Sequence, residues 1–122
     1  MKSLLVQKYD LKNGENNIEI IIKNKITNFK YMFYKCISLK DIDELKYLDV
    51  SNGNDFSGMF FECESLSNIK PLENWNVLNV NNFSEMFYGC ESLSNIKPLE
   101  NWNVSNGNNF SEMFHGCKSL QI

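Results

Sequence analysis

The chain has 122 residues, 43% of them hydrophobic, and a formal net charge of −3. That length suits one domain with a packed core, and the charge excludes the basic field by which proteins hold nucleic acid. No apolar run approaches the ~18–20 residues of a membrane span, so no membrane insertion is expected.

Residues 1–27 open the chain. Their only early apolar run is Leu4-Leu5-Val6, shorter than the ~7–15 residues of a secretory signal. The expected location is therefore cytoplasmic, or an extracellular surface if the chain is a fragment. "LLVQKYDL" and "NIEIIIKN" are strand-like runs around "KNGEN", a turn containing glycine, and predict an N-terminal hairpin that caps the rest of the chain.

From residue 28 to 122 the sequence repeats. Cysteines stand at 36, 63, 90 and 117, a constant step of 27. The same step joins Phe29, Phe56, Phe83 and Phe110, then Met32, Met59, Met86 and Met113, then Phe33, Phe60, Phe87 and Phe114. Such a period marks a short array in which each unit shares its core with its neighbours. Within a copy, Phe83, Met86, Phe87 and Cys90 fall at i, i+3, i+4 and i+7, which predicts one face of a short helix. Asn82 and Glu85 stand where a capping box would place them, and Gly89 where a helix end can use positive φ. After the cysteine, "SLSNIKPLENWNV" reads as short extended pieces, because Pro71 and Pro98 disfavour a helix. The chain stops at "CKSLQI" with no polar cap, so an end-to-end homodimer through that terminus is a reasonable expectation.

The Met-Phe-x-x-Cys-x-Ser-Leu block, with "NVSN" upstream, resembles the BspA-like leucine-rich repeat family. The resemblance implies an α/β, right-handed leucine-rich-repeat solenoid of about three and a half 27-residue repeats, with short parallel strands and short helices. It also implies relatives that act in binding and adhesion.

Four cysteines invite a metal or disulfides. Equivalent positions of a stacked array lie in a line, however, and four thiolates in a line cannot enclose one ion. Ladder positions stay near the ~4.8 Å rung spacing, whereas a disulfide brings Cβ atoms to ~3.5–4.5 Å. Cys36, Cys63, Cys90 and Cys117 are therefore expected to be buried, unbridged and metal-free. His115, the only histidine, replaces the ring of Tyr34, Phe61 and Tyr88. That row forms either an aromatic contact stripe on the surface or rings packed against the neighbouring helix. The tryptophans align with Leu48 and read as core.

"CESLSNIKPLENWNV" occurs twice unchanged, at Cys63–Val77 and Cys90–Val104. Catalysis needs different residues converging on one point, which identical copies do not supply. No catalytic residues, cofactor or metal are expected. The function read from the sequence is a protein–protein interaction scaffold, with an adhesin module or a self-assembling structural fragment as alternatives. The candidate protein-binding face is the strand side, where exposed positions vary between copies: Lys40/Ser67/Ser94, Asp41/Asn68/Asn95, Asp43/Lys70/Lys97 and Lys46/Glu73/Glu100. The aromatic row Tyr34, Phe61, Tyr88 and His115 joins them.

Overall fold

A computed structural model describes residues 7–22 and 25–121. Leu4–Val6, at the start of the first strand-like run, lie outside the described residues. β1 (Gln7–Asn13) and β2 (Asn16–Ile22) form an antiparallel hairpin, with Asn13 opposite Asn16 across a turn in which Gly14 takes φ +67°. β3 (Leu39–Asp41) joins the other edge of β1 through Lys12↔Asp41 and Asn13↔Leu39, giving the sheet order β2-β1-β3. Tyr9 and Leu11 of β1 point into the core, where Ile18 and Ile20 of β2 pack against its margin.

The expected leucine-rich-repeat solenoid of parallel strands and short helices is not what forms. Among the described residues the one sheet is this small antiparallel one, and no α-helix is present. The helical pieces are three 3-10 turns, Asp43–Tyr47, Lys70–Leu72 and Lys97–Leu99. Where a helix was predicted over Phe83–Cys90, Glu85 and Gly89 hold φ at +57° and +69°. A right-handed helix cannot pass through two left-handed residues. Consecutive turns replace it: Met86 N–H donates to Phe83 O, Tyr88 N–H to Glu85 O, and Cys90 N–H to Phe87 O. Asn82 caps no helix; its Oδ1 accepts from Ser84 N–H at 2.9 Å, closing an Asx turn. Where an extended piece was predicted after the cysteine, Pro71 instead sits inside a 3-10 turn, as its fixed φ allows. Parallel pairing is reduced to the isolated bridges Asn28↔Asp55, Asp55↔Asn82 and Asn82↔Asn109.

Equivalent residues of successive sequence copies nevertheless lie side by side. Phe29, Tyr31, Phe33 and Lys35 donate their N–H groups to the carbonyls of Asp55, Ser57, Met59 and Phe61. Phe56, Gly58, Phe60 and Glu62 donate in the same sense to Asn82, Ser84, Met86 and Tyr88, and Phe83, Glu85, Phe87 and Gly89 to the fourth copy. The residues between them spend their N–H groups on turns within the copy, so the backbone is satisfied without strands.

The side chains inside this frame stack. Phe33, Phe60, Phe87 and Phe114 follow each other at 5.2, 5.5 and 5.7 Å between ring centroids. Trp75 and Trp102 stack at 6.4 Å, and each buried indole N–H finds a carbonyl, Leu45 O at 2.8 Å and Leu72 O at 2.9 Å.

Candidate functional site

The polar residues around the 3-10 turns surround two adjoining clefts. Lys40, Asp41, Asp43, Asn68 and Pro71 line a cleft of about 460 Å3, with Ile42 behind them. Asp43, Lys46, Asn68, Lys70, Pro71, Glu73 and Asn74 line another of about 210 Å3. The clefts exist because the first two copies differ here. The first carries a five-residue 3-10 turn, Asp43–Tyr47, and the second a three-residue turn that begins at Lys70-Pro71.

Several of these side chains also shape the backbone. Asp41 Oδ1 accepts from Asp43 N–H, Asn68 Oδ1 from Lys70 N–H and Asn95 Oδ1 from Lys97 N–H, at 2.9 to 3.0 Å. Lys46 Nζ donates to Asp43 Oδ2 at 3.1 Å, and that hydrogen bond, with the Asp43 charge, raises the Lys46 ammonium above its ordinary pKa. Lysines and carboxylates thus share the rim without one sign dominating. Ser67, Ser94, Asn95, Lys97 and Glu100 are exposed but line neither cleft.

The aromatic row forms a continuous stack. Tyr34 lies on Phe61 at 5.1 Å, Phe61 on Tyr88 at 4.5 Å, and Tyr88 on His115 at 5.0 Å. Tyr34 and His115 are exposed, while Phe61 and Tyr88 are half-buried. Each ring therefore packs on the equivalent ring of the next copy, not on a neighbouring helix, because no helix forms there.

The family model described as "Mycoplasma protein of unknown function, DUF285" matches residues 2–122. The chain belongs to that family. No curated protein and no solved structure matches it.

The cysteine row of this DUF285 chain lies at or near the core. Cys63 and Cys90 are fully buried, Cys117 is buried and Cys36 half-buried, all as free thiols. Each buried thiol donates to a carbonyl of the preceding copy: Cys63 Sγ to Phe33 O at 3.2 Å, Cys90 Sγ to Phe60 O at 3.2 Å, and Cys117 Sγ to Phe87 O at 3.1 Å. Burial pushes the Cys63 thiol up to about 12 and raises Cys90, Cys117 and Cys36 as well. Thiolate, the nucleophile and metal ligand, is thereby suppressed. Among the described residues no three His, Cys, Asp or Glu side chains gather around one point that could hold a metal.

Sequence reading passed over Tyr31, Gly58 and Glu85: Tyr31 and Glu85 line a third cavity beside the aromatic row, and the Tyr31 ring fills the space that a side chain at Gly58 would need. The signal was present: these three residues fall in one 27-residue row, with a tyrosine, a glycine and a glutamate in succession.

Proposed function

We propose that this DUF285 chain is a non-catalytic protein-interaction module whose partner seats on the polar clefts between its first and second copies. One observation carries the reading. Among the positions at which the first copy departs from the second, Lys40, Asp41, Asp43 and Lys46 border the clefts and face Asn68, Lys70 and Glu73 of the next copy. A mixed-sign polar rim around a concave floor suits a protein surface of complementary charge. The Met-Phe-x-x-Cys-x-Ser-Leu block further supports a kinship in sequence with BspA-like repeat proteins, without their leucine-rich-repeat architecture.

The test is affinity capture from cell extract with wild type and a Lys40→Ala/Asp43→Ala/Lys46→Ala variant. All three side chains are exposed, so the variant should keep the wild-type circular dichroism spectrum. A partner retained by wild type and lost by the variant is the expected result. Equal recovery by both would refute the clefts as the binding face.

A further inference from the structure

The N-terminal hairpin leaves one strand edge open. The sheet order is β2-β1-β3, so β1 is paired on both sides, while among the described residues no strand pairs with the outer edge of β2. Burial falls off in the same direction. Tyr9 and Leu11 of β1 are buried, whereas Ile20 and Ile18 opposite them, with Ile22 on the same face, are only half-buried. On the other face of β2, Ile21 is 48% exposed. Natural sheets guard such an edge with lysine, proline, a bulge or a very short strand. β2 has none of these: it runs seven residues in unbroken register with β1, and Glu19 is its one charge.

The turn decides which backbone groups that edge presents. Asn13 and Asn16 flank a two-residue turn and form a hydrogen-bonded pair, so alternation along the ladder sends the N–H and C=O groups of Asn17, Glu19 and Ile21 outward. Asp10, which stands opposite Glu19, accordingly turns its own N–H away from β2, donating to Glu44 Oε2 at 2.8 Å.

We propose that a second copy of the chain occupies this edge, β2 against β2, joining the two hairpin sheets into one. A two-fold axis perpendicular to the sheet makes the pairing antiparallel and closes the assembly at two chains. Outward-facing residues must oppose one another, which restricts the register. With Glu19 opposite Glu19, like charges would meet across the axis. Shifted so that Ile20 faces Ile20, Glu19 opposes Ile21 and Ile18 opposes Ile22. Donors and acceptors then match at both Glu19–Ile21 pairs, and the isoleucine stripe of each chain continues onto the other, covering what β2 leaves half-buried. That self-complementarity singles out a second copy as the occupant. The edge shares no residue with the polar clefts, so the dimer stands or falls independently of the interaction proposed there.

The experiment is sedimentation equilibrium of the whole chain from low to high micromolar concentration, with amide exchange read at both ends. The mass should rise from 14.2 kDa toward twice that value, and the Glu19 and Ile21 amides should slow as it does. Ile21→Glu, at an exposed position, should keep the wild-type circular dichroism spectrum and weaken the dimer about tenfold, because it sets like charges opposite each other on both sides of the axis. Ile21→Lys, which meets Glu19 with the opposite charge, should dimerise at least as tightly as wild type. Glu19→Pro removes an outward N–H that the hairpin does not use, so it should fold and stay monomeric. A monomer at every concentration, a dimer untouched by Ile21→Glu and Glu19→Pro, or equal weakening by Ile21→Glu and Ile21→Lys would each overturn the proposal.

Discussion

Glu112 holds φ at +55° although its side chain is exposed and has no ion-pair partner among the described residues. Glycine at that position would adopt the angle freely, losing part of the gain to its greater freedom in the unfolded chain. Glu112→Gly should therefore stabilise the fold by about 1 kcal/mol, read as a higher urea midpoint with unchanged slope. The reverse holds at Gly58, where alanine would meet the Tyr31 ring as well as the strained φ. Gly58→Ala should destabilise the fold by about 1–3 kcal/mol, read as a lower midpoint. The buried thiols give a prediction in pH. Cys63 rises from 9.0 to about 12 on folding, so the native state keeps a proton that the unfolded chain releases. Its contribution is complete below pH 9 and is lost between pH 9 and 12, in a window shared with the other raised thiols. Thermal midpoints should fall across that window, and a Cys63→Ala/Cys90→Ala variant, less stable at neutral pH, should fall less steeply.

At the scale of elements, hydrogen exchange distinguishes the rows. Phe56, Gly58, Phe60 and Glu62 amides donate to the next copy and should be slow to exchange. Phe110, Glu112, Phe114 and Gly116, their equivalents in the fourth copy, donate to no backbone carbonyl among the described residues and should exchange fast. Phe60 is fully buried and stacked on both sides, so Phe60→Ala should cost about 3–5 kcal/mol. Much of this core was legible in the sequence: the phenylalanine, cysteine and tryptophan rows that recur every 27 residues are largely the buried ones. The local conformation was not. Phe83, Met86, Phe87 and Cys90 carry helical spacing, yet two turns, Phe83 to Met86 and Phe87 to Cys90, generate the same intervals. The deciding clue lay across copies. Gly58 shares a row with Tyr31, Glu85 and Glu112, while Gly89 and Gly116 share one with Lys35 and Glu62. Glycine in some copies disclosed the left-handed angle for all of them, and read within one copy it passed for a helix end.

Over the whole molecule, the copies are most alike where they pack and least alike where they face solvent, so the sequence could name exposed candidates without showing which converge. Lys40, Asp43, Lys46 and Glu73 do meet at the clefts, whereas Ser94, Asn95, Lys97 and Glu100 of the next copy line neither. The reason lies in the turns: the longer Asp43–Tyr47 segment opens space against the shorter one at Lys70, while the matching Lys70 and Lys97 turns are alike. Phe110, 43% exposed where Phe83 is fully buried, marks the fourth copy as the uncovered side of the core. A chain carrying one more copy, joined after residue 121, should bury Phe110, slow the Glu112 amide and raise the thermal midpoint.

Most of the backbone amides that join the copies point one way. From Phe29, Tyr31, Phe33 and Lys35 onward, each N–H faces the following copy and each carbonyl the preceding one, with the column through Asn54 and Asn81 running in the opposite sense. Four aligned columns against one leave a net dipole along the stack, like that of a helix but built from separate turns, with its positive pole at the fourth copy. Two such faces brought together would set donor against donor and like pole against like pole. A carbonyl-bearing edge would complement that pole where a second donor edge would not.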